Sequence, residues 1–353
     1  MKGRKHNMIS RFVSAVIAAV LTAAFTSSCD NIFEDLEPCP HGVSLRFVYE
    51  YNMEYANSFP KKVDCLTLII YDNEGNYIGT RTVTGPELRD ESYRMTLDLE
   101  PGTYRFVAYG GMECRESSFS FIEGTRAGEE DVALGNLLVK LNEECLYVPG
   151  KKKLHDMYWG TLTLETSDLY SEGTVEMMKN TNNIRIVLQQ EEGGPLDPSD
   201  FEFEITDDNT VLKAIDDDIV PAGSVTYTPW TTGQSQTGVI VNGDGVEPTP
   251  VVVAYAEIMT SRLMTGIEDK EGPKLTIRNS SKAPENAGEE VLSIPLNKYL
   301  LLTRSDHYRD MRDQEYLDRE SDWTLFFFLR NGTWMDAHIV VNDWVVRIND
   351  AEF

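Results

Sequence analysis

Residues 43–51 read VSLRFVYEY, with Val43, Leu45, Phe47, Tyr49 and Tyr51 at one parity and Ser44, Arg46, Val48 and Glu50 at the other. A period of two sends alternate side chains to opposite faces of an extended chain, so the segment is expected to be a strand. Cys65 to Tyr71 is a second, more apolar run. Asp72-Asn73-Glu74-Gly75-Asn76 offers turn residues, and Tyr77 to Val83 leads back, which predicts a hairpin. Tyr93, Met95, Leu97 and Leu99 alternate up to Pro101-Gly102, and Tyr104, Phe106 and Ala108 alternate up to Gly110-Gly111. Regular strands divided by turns predict an antiparallel sandwich with one solvated face per sheet.

The second half repeats this style. Strands are expected at Thr161–Thr166, Thr174–Met178, Asn183–Leu188, Phe201–Ile205, Val225–Thr228, Val251–Met264, Lys274–Arg278 and Val291–Pro295. Pro229 to Pro250 reads as a long polar loop, Leu296 to Thr303 as the start of a helix, and the charged run to Ser321 as helix or loop. Trp323–Leu329 and His338–Ile348 are expected to close the chain as a hairpin turning at Asn331-Gly332. Turn residues and a charge run at Pro149-Gly150-Lys151-Lys152-Lys153 suggest a domain boundary, giving sandwiches over 41–150 and 151–353.

The N-terminus departs from this pattern. Lys2, Arg4, Lys5 and Arg11 precede an apolar stretch from Phe12 to Phe25, and Thr26-Ser27-Ser28 precede Cys29. The apolar stretch is shorter than the ~20 residues of a membrane-spanning helix, so residues 1–28 read as a cleaved signal peptide. Small residues before a cysteine at that point resemble a bacterial lipobox. Cys29 is therefore the expected lipidation site, anchored through its acyl chains to outer-membrane lipid. Residues 29–40, with Asp30, Glu34, Asp35 and Glu37, read as an acidic tether, and acidic residues there also resemble the surface-export signal of Bacteroidales lipoproteins.

Composition narrows the function classes. The 353 residues carry a formal net charge of −26, against nucleic acid as a partner, and 41% hydrophobic residues support extensive cores. Cys39, Cys65, Cys114 and Cys145 are candidates for disulfide pairing in an exported chain, with three connectivities open. His41, His155, His307 and His338 stand apart from one another, and no metal, nucleotide or nucleophile motif is present, so no metal, cofactor or catalytic residue is expected. Asp216-Asp217-Asp218 and the GDG at 243–245 lack the ordered oxygen spacing of a calcium loop and read as solvated turns. QEYLDRES at 314–321 reads as a capped turn. Tyr104, after a Pro-Gly turn, is expected to fold back and hydrogen-bond the turn backbone.

Several stretches in order resemble the FimB-type fimbrial anchor-subunit family of Bacteroidales: CDNIFEDLEPCP leading into GVSLRFVYEYN, LTLIIYDNEGNYI, LEPGTYRFVAYGG, YWG at 158–160, KNTNNIRIVL at 179–188, SRLM at 261–264, LNKYLLLTR, DQEYLDRESDWTLFFFL and IVVNDWVVRI. The resemblance implies an all-β chain of two tandem transthyretin-like sandwiches. It also implies a lipid anchor in the outer membrane, a surface-exposed place at the base of a fimbrium, no enzymatic activity, and a role in attaching the polymer and limiting its length. Fimbrial structural subunits are the implied partners, joined by strand pairing. The last strand, with Ile339, Val341, Trp344, Val346 and Ile348, or an open edge of the second sandwich, is the expected contact. Trp323, Trp334 and Trp344 are read as core, with sugar stacking, and hence a surface glycan-binding lipoprotein, as the alternative.

Overall fold

The computed structural model describes residues 42–347, apart from 113–115, 123–132, 148–152, 168, 192, 241–248, 267–271, 283–285, 331–332 and 342–343. Cys29, Cys39, Cys114, His41, the GDG turn and Ile348 therefore lie outside the described residues.

The chain is built from β-sandwiches. In the first, β1 (Val43–Val48) runs between β4 (Met95–Leu97), antiparallel, and β9 (Ser171–Glu176), parallel. It faces a five-stranded sheet in the order β10 (Met178–Lys179), β8 (Tyr158–Thr166), β5 (Gly102–Gly110), β2 (Leu66–Asp72) and β3 (Tyr77–Val83). Val43, Leu45 and Phe47 interleave with Leu66, Leu68, Ile70, Phe106 and Ala108 in a closed core. The β8 strand must pass under the returning chain, and Gly160 permits it: a Cβ there would lie 2.3 Å from the Glu176 carbonyl oxygen.

The expected solvated face survives on β8, at Thr161, Thr163 and Glu165, but is covered over β2 and β5. Ile69, Tyr71, Val107 and Tyr109, the opposite parity of β2 and β5, are buried against Phe119, Val139 and Leu141. These belong to a small third sheet in which β7 (Leu138–Leu141) lies between β6 (Phe119–Phe121) and β13 (Val211–Lys213). A strand covered on both faces has no polar parity to keep, and the apolar run LTLIIY follows from that.

The second sandwich sets a six-stranded sheet, β15 (Thr231–Ile240), β16 (Thr249–Thr260), β11 (Asn182–Gln190), β19 (Asp322–Arg330), β20 (Thr333–Val341) and β21 (Trp344–Arg347), against a second layer of four strands. Those are β14 (Val225–Tyr227), β12 (Phe201–Asp207), β17 (Lys274–Asn279) and β18 (Glu290–Pro295). β11 pairs parallel with β19, as β1 does with β9, so each sandwich places its first strand beside a strand from its end. These two parallel pairings depart from the purely antiparallel expectation. A short helix α1 (Phe59–Lys62) buries Phe59 in the first core, and α2 (Leu296–Leu302) and α3 (Asp313–Arg319) add Leu296, Tyr299, Tyr316 and Leu317 to the second. Among the described residues no helix is long and apolar enough to cross a membrane.

Three expectations are corrected. Strand pairing carries the first sandwich past residue 150, because β8 pairs with β5 along its whole length and β9 completes the β1 sheet. One continuous core also contains residues from both halves, from Ile69 to Leu329. The segment 229–250 holds the ten-residue strand β15, whose sequence TTGQSQTGVI has no apolar alternation because β16 supplies its ladder. The run expected as one strand from His338 falls in two that pair with each other, β20, which begins at Thr333, and β21. The Tyr104 hydroxyl donates to the Glu100 carbonyl at 3.0 Å, as expected.

Candidate docking surface and the charge node behind it

The six-stranded sheet has two edges, β15 and β21. At β21, register pairs Val341 with Trp344 and Ile339 with Val346, so four of the five expected contact residues occupy matching positions in one terminal hairpin. That edge is four residues long. β15 is ten residues long and contains no charged residue and no proline, the usual devices that blunt an exposed edge. Its bulge between Gln236 and Gly238 is the one irregularity in its pairing with β16.

The sheet face beside this edge carries its own apolar patch. Val187, Val251 and Val253 pack with Tyr255 and Phe326, apart from the main core. A Cβ on Gly233 would meet the Tyr255 hydroxyl at 2.6 Å, so glycine leaves that ring room against β15. Arg185 stacks 5.8 Å from the Tyr255 ring centroid and pairs with Glu257 at 2.5 Å. A long uncharged edge flanked by an apolar and aromatic face offers main-chain hydrogen bonds and side-chain pockets together, which is what strand addition requires.

Behind the sheet lies a buried charge node. Arg262 sends Nη1 to Asp217 and its Nε–Nη2 fork to both carboxylate oxygens of Asp318, each at 3.0 Å. Asn180 donates to the other Asp217 oxygen at 2.7 Å, and Gln314 donates to Asp318 at 2.9 Å. Asp217 is fully buried, so the turn 216–218 is not the solvated turn expected from its sequence; its partner is 45 residues away in the chain. Likewise 314–321 lies largely within α3, which presents Asp318 to that partner. Asn180 lies where the chain passes from β10 to β11, Arg262 follows β16, Asp217 follows β13 and Asp318 ends on α3, so the node ties the connection between sandwiches to the second core.

Burial drives the Asp217 carboxyl up from 3.8 to about 7, with Arg262 and the Asn180 amide pulling it back. Asp217 therefore takes up a proton on folding. Its contribution to stability is fully present below about pH 3.8 and is lost as pH rises through about 7. Asp217→Asn is expected to flatten this decline, measured as urea midpoint against pH between 4 and 8; an unchanged slope contradicts the assignment.

Cys65 is disulfide-bonded, whereas Cys145 carries a free thiol half-buried beside the main core. Among the described residues Cys145 has no disulfide partner, and Cys39 and Cys114 lie outside them. Its sulfur points at the Ser118 carbonyl, 4.0 Å away, and burial pushes the thiol up. Trp323 is buried and donates its indole N–H to Asn182 at 3.1 Å, so it belongs to the core and offers no sugar platform. Among the described residues no group of histidine, cysteine or carboxylate side chains could hold a metal ion.

A profile of the fimbrillin-A associated anchor proteins Mfa1 and Mfa2 matches residues 36–350. The chain belongs to that family. Its members are fimbrium-associated structural proteins of the cell surface and not a family of enzymes. Among solved structures, a protein of Bacteroides thetaiotaomicron described as a candidate adhesin is 55% identical, covers 89% of this chain and 100% of its own, and superposes with a TM-score of 0.80. A second protein of that organism, described as a candidate polysaccharide binder, is 26% identical over 88% of this chain and 99% of its own, TM-score 0.71. The fimbrial anchor protein Mfa2 of Porphyromonas gingivalis shares the fold at 17% identity, over 88% of this chain and 99% of its own, TM-score 0.61. No curated protein matches. Three of the stretches that resemble the anchor family, KNTNN, SRLM and DQEYLDRES, contribute Asn180, Arg262 and Asp318, so they meet in the buried node.

Proposed function

We propose that this chain is a lipid-anchored fimbrial anchor subunit. Cys29 carries the lipid, residues 29–40 form the tether, and the folded body takes up a strand from the first fimbrial subunit, so that the fimbrium is held at the outer membrane and its length limited. The family match over residues 36–350 carries the reading. The uncharged ten-residue edge of β15 supports it as the acceptor, ahead of the four-residue β21 and its Ile339, Val341, Trp344 and Val346. Ile348 remains a proposed contact of the same terminal segment.

The test is electron microscopy of native cells in which the gene is deleted, or carries Cys29→Ser. Deletion is expected to give long fibres shed into the medium. Cys29→Ser is expected to release the protein, still folded, from the outer-membrane fraction and to shed fimbriae with it. Unchanged attached fimbriae after deletion overturn the anchor reading. Membrane retention of the serine variant overturns Cys29 as the anchor alone.

A further inference from the structure

A cleft of about 480 Å³ opens between the two sandwiches. The loop at Met53 and Glu54 forms one wall, and the segment around Tyr308 with the start of β19 forms the other. Its inner wall is aromatic: Tyr316 meets Trp323 edge-on at 5.6 Å, and Tyr308 lies 6.5 Å from Tyr316. Its carboxylates come from separate places in the chain, Glu54 on the loop and Glu320 and Asp322 at the entry to β19. Glu320 Oε1 accepts from the Ser321 and Asp322 amides, both at 3.0 Å, while its Oε2 receives no donor among the described residues.

Among the described residues no lysine or arginine belongs to the lining of the cleft. Of the arginines nearby in sequence, Arg304 pairs with Asp313 and lies 5.8 Å from the centroid of the Tyr316 ring, while Arg309 pairs with Asp306 and Arg319 with Glu315. Arg319 also lies 4.1 Å from the Tyr51 ring centroid and 4.8 Å from that of Tyr55, which holds the Glu54 loop against α3. Lys179, whose charge reaches Glu320, is paired with Asp156 at 3.2 Å. The cleft is thus a negatively charged recess: Glu54, Glu320 and Asp322 line it, and the arginine at its aromatic wall, Arg304, is already paired with Asp313.

We propose that this cleft receives a lysine or arginine side chain presented by a protein partner. Three carboxylates brought together from two parts of the chain favour a cation. Tyr316 and Trp323 are 4% and 3% exposed, so their rings offer no open face for a sugar to stack on, and the preference for a cation comes from the carboxylates. The chain's net charge of −26 attracts a basic partner and raises its rate of encounter. The site is separate from the sheet edges and does not depend on which edge pairs with a fimbrial strand.

The test uses the full chain and two probes, N-acetyl-argininamide and methyl glucoside, titrated while the indole N–H signals are followed by NMR. The argininamide is expected to saturate a shift at Trp323. Its affinity should fall roughly tenfold in Glu54→Gln/Asp322→Asn, where both changed side chains are exposed, and should weaken with salt. Glu54→Gln alone, on a surface loop, is expected to give a smaller fall. Equal binding by wild type and variants overturns the proposal, as does no saturable shift. A variant-sensitive response to the glucoside in place of the argininamide would make the cleft a carbohydrate subsite and also overturn it.

Discussion

Arg262→Met is expected to lower the unfolding free energy by about 3–5 kcal/mol, the cost of leaving buried charge without its partner. The guanidinium carries two carboxylates at once, and both Asp217 and Asp318 are less than a tenth exposed. Methionine fills much of the arginine stem's volume, so the loss reads the charge and its hydrogen bonds more than a cavity. Removing both acids as well, by Asp217→Asn and Asp318→Asn, is expected to recover part of the loss. Asparagine suits position 217, whose φ is +59° and whose L side chain must tolerate the left-handed region. Urea denaturation of the single and triple variants checks this. A single variant within about 0.5 kcal/mol of wild type would place the node among dispensable surface-type interactions.

Phe119→Ala is expected to cost about 3–5 kcal/mol, as for other fully buried phenylalanines. It should also weaken both sandwiches at once. Phe119 sits on β6, in the small sheet whose partner strand β13 comes from the second half of the chain. Its core cluster holds Ile69 and Tyr109 from the first sandwich together with Ile186 and Phe327 from the second. Hydrogen exchange of the β2 and β5 amides and of the β11 and β19 amides should therefore accelerate in step. Loss of protection confined to the first set would show that the sandwiches unfold separately.

Local chemistry was legible from the sequence, and distant partnership was not. The turn at Asp72–Asn76, the Pro101-Gly102 entry to β5, the Tyr104 fold-back and the hairpin of β19 with β20 all depend on neighbours a few residues away, and their residue types declare them. β15 escaped because its identity comes from β16, not from its own alternation. The boundary at 150 was misplaced because turn residues and a lysine run mark a loop, while only the pairing of Tyr158–Thr166 with β5 says to which sheet the chain returns. Asp217 escaped for the same reason: an acid between two acids reads as solvated until an arginine 45 residues on is brought beside it. The aromatic residues of the cleft share the segment 303–324, but Met53 and Glu54 come from near the start of the fold, and no spacing could have brought that loop to them.

The parallel pairing of β1 with β9 has a mechanical consequence. The chain enters β1 at Val43 and leaves β9 at Glu176 on its way to the second sandwich, and parallel strands put these two points at opposite ends of the same ladder. Tension between whatever lies before Val43 and the second sandwich therefore runs along the strands. It loads six register positions, from Val43↔Ser171 to Val48↔Glu176, in shear and together, instead of peeling them one by one. A protein stretched between a surface and a filament in flow would yield last where this ladder lies.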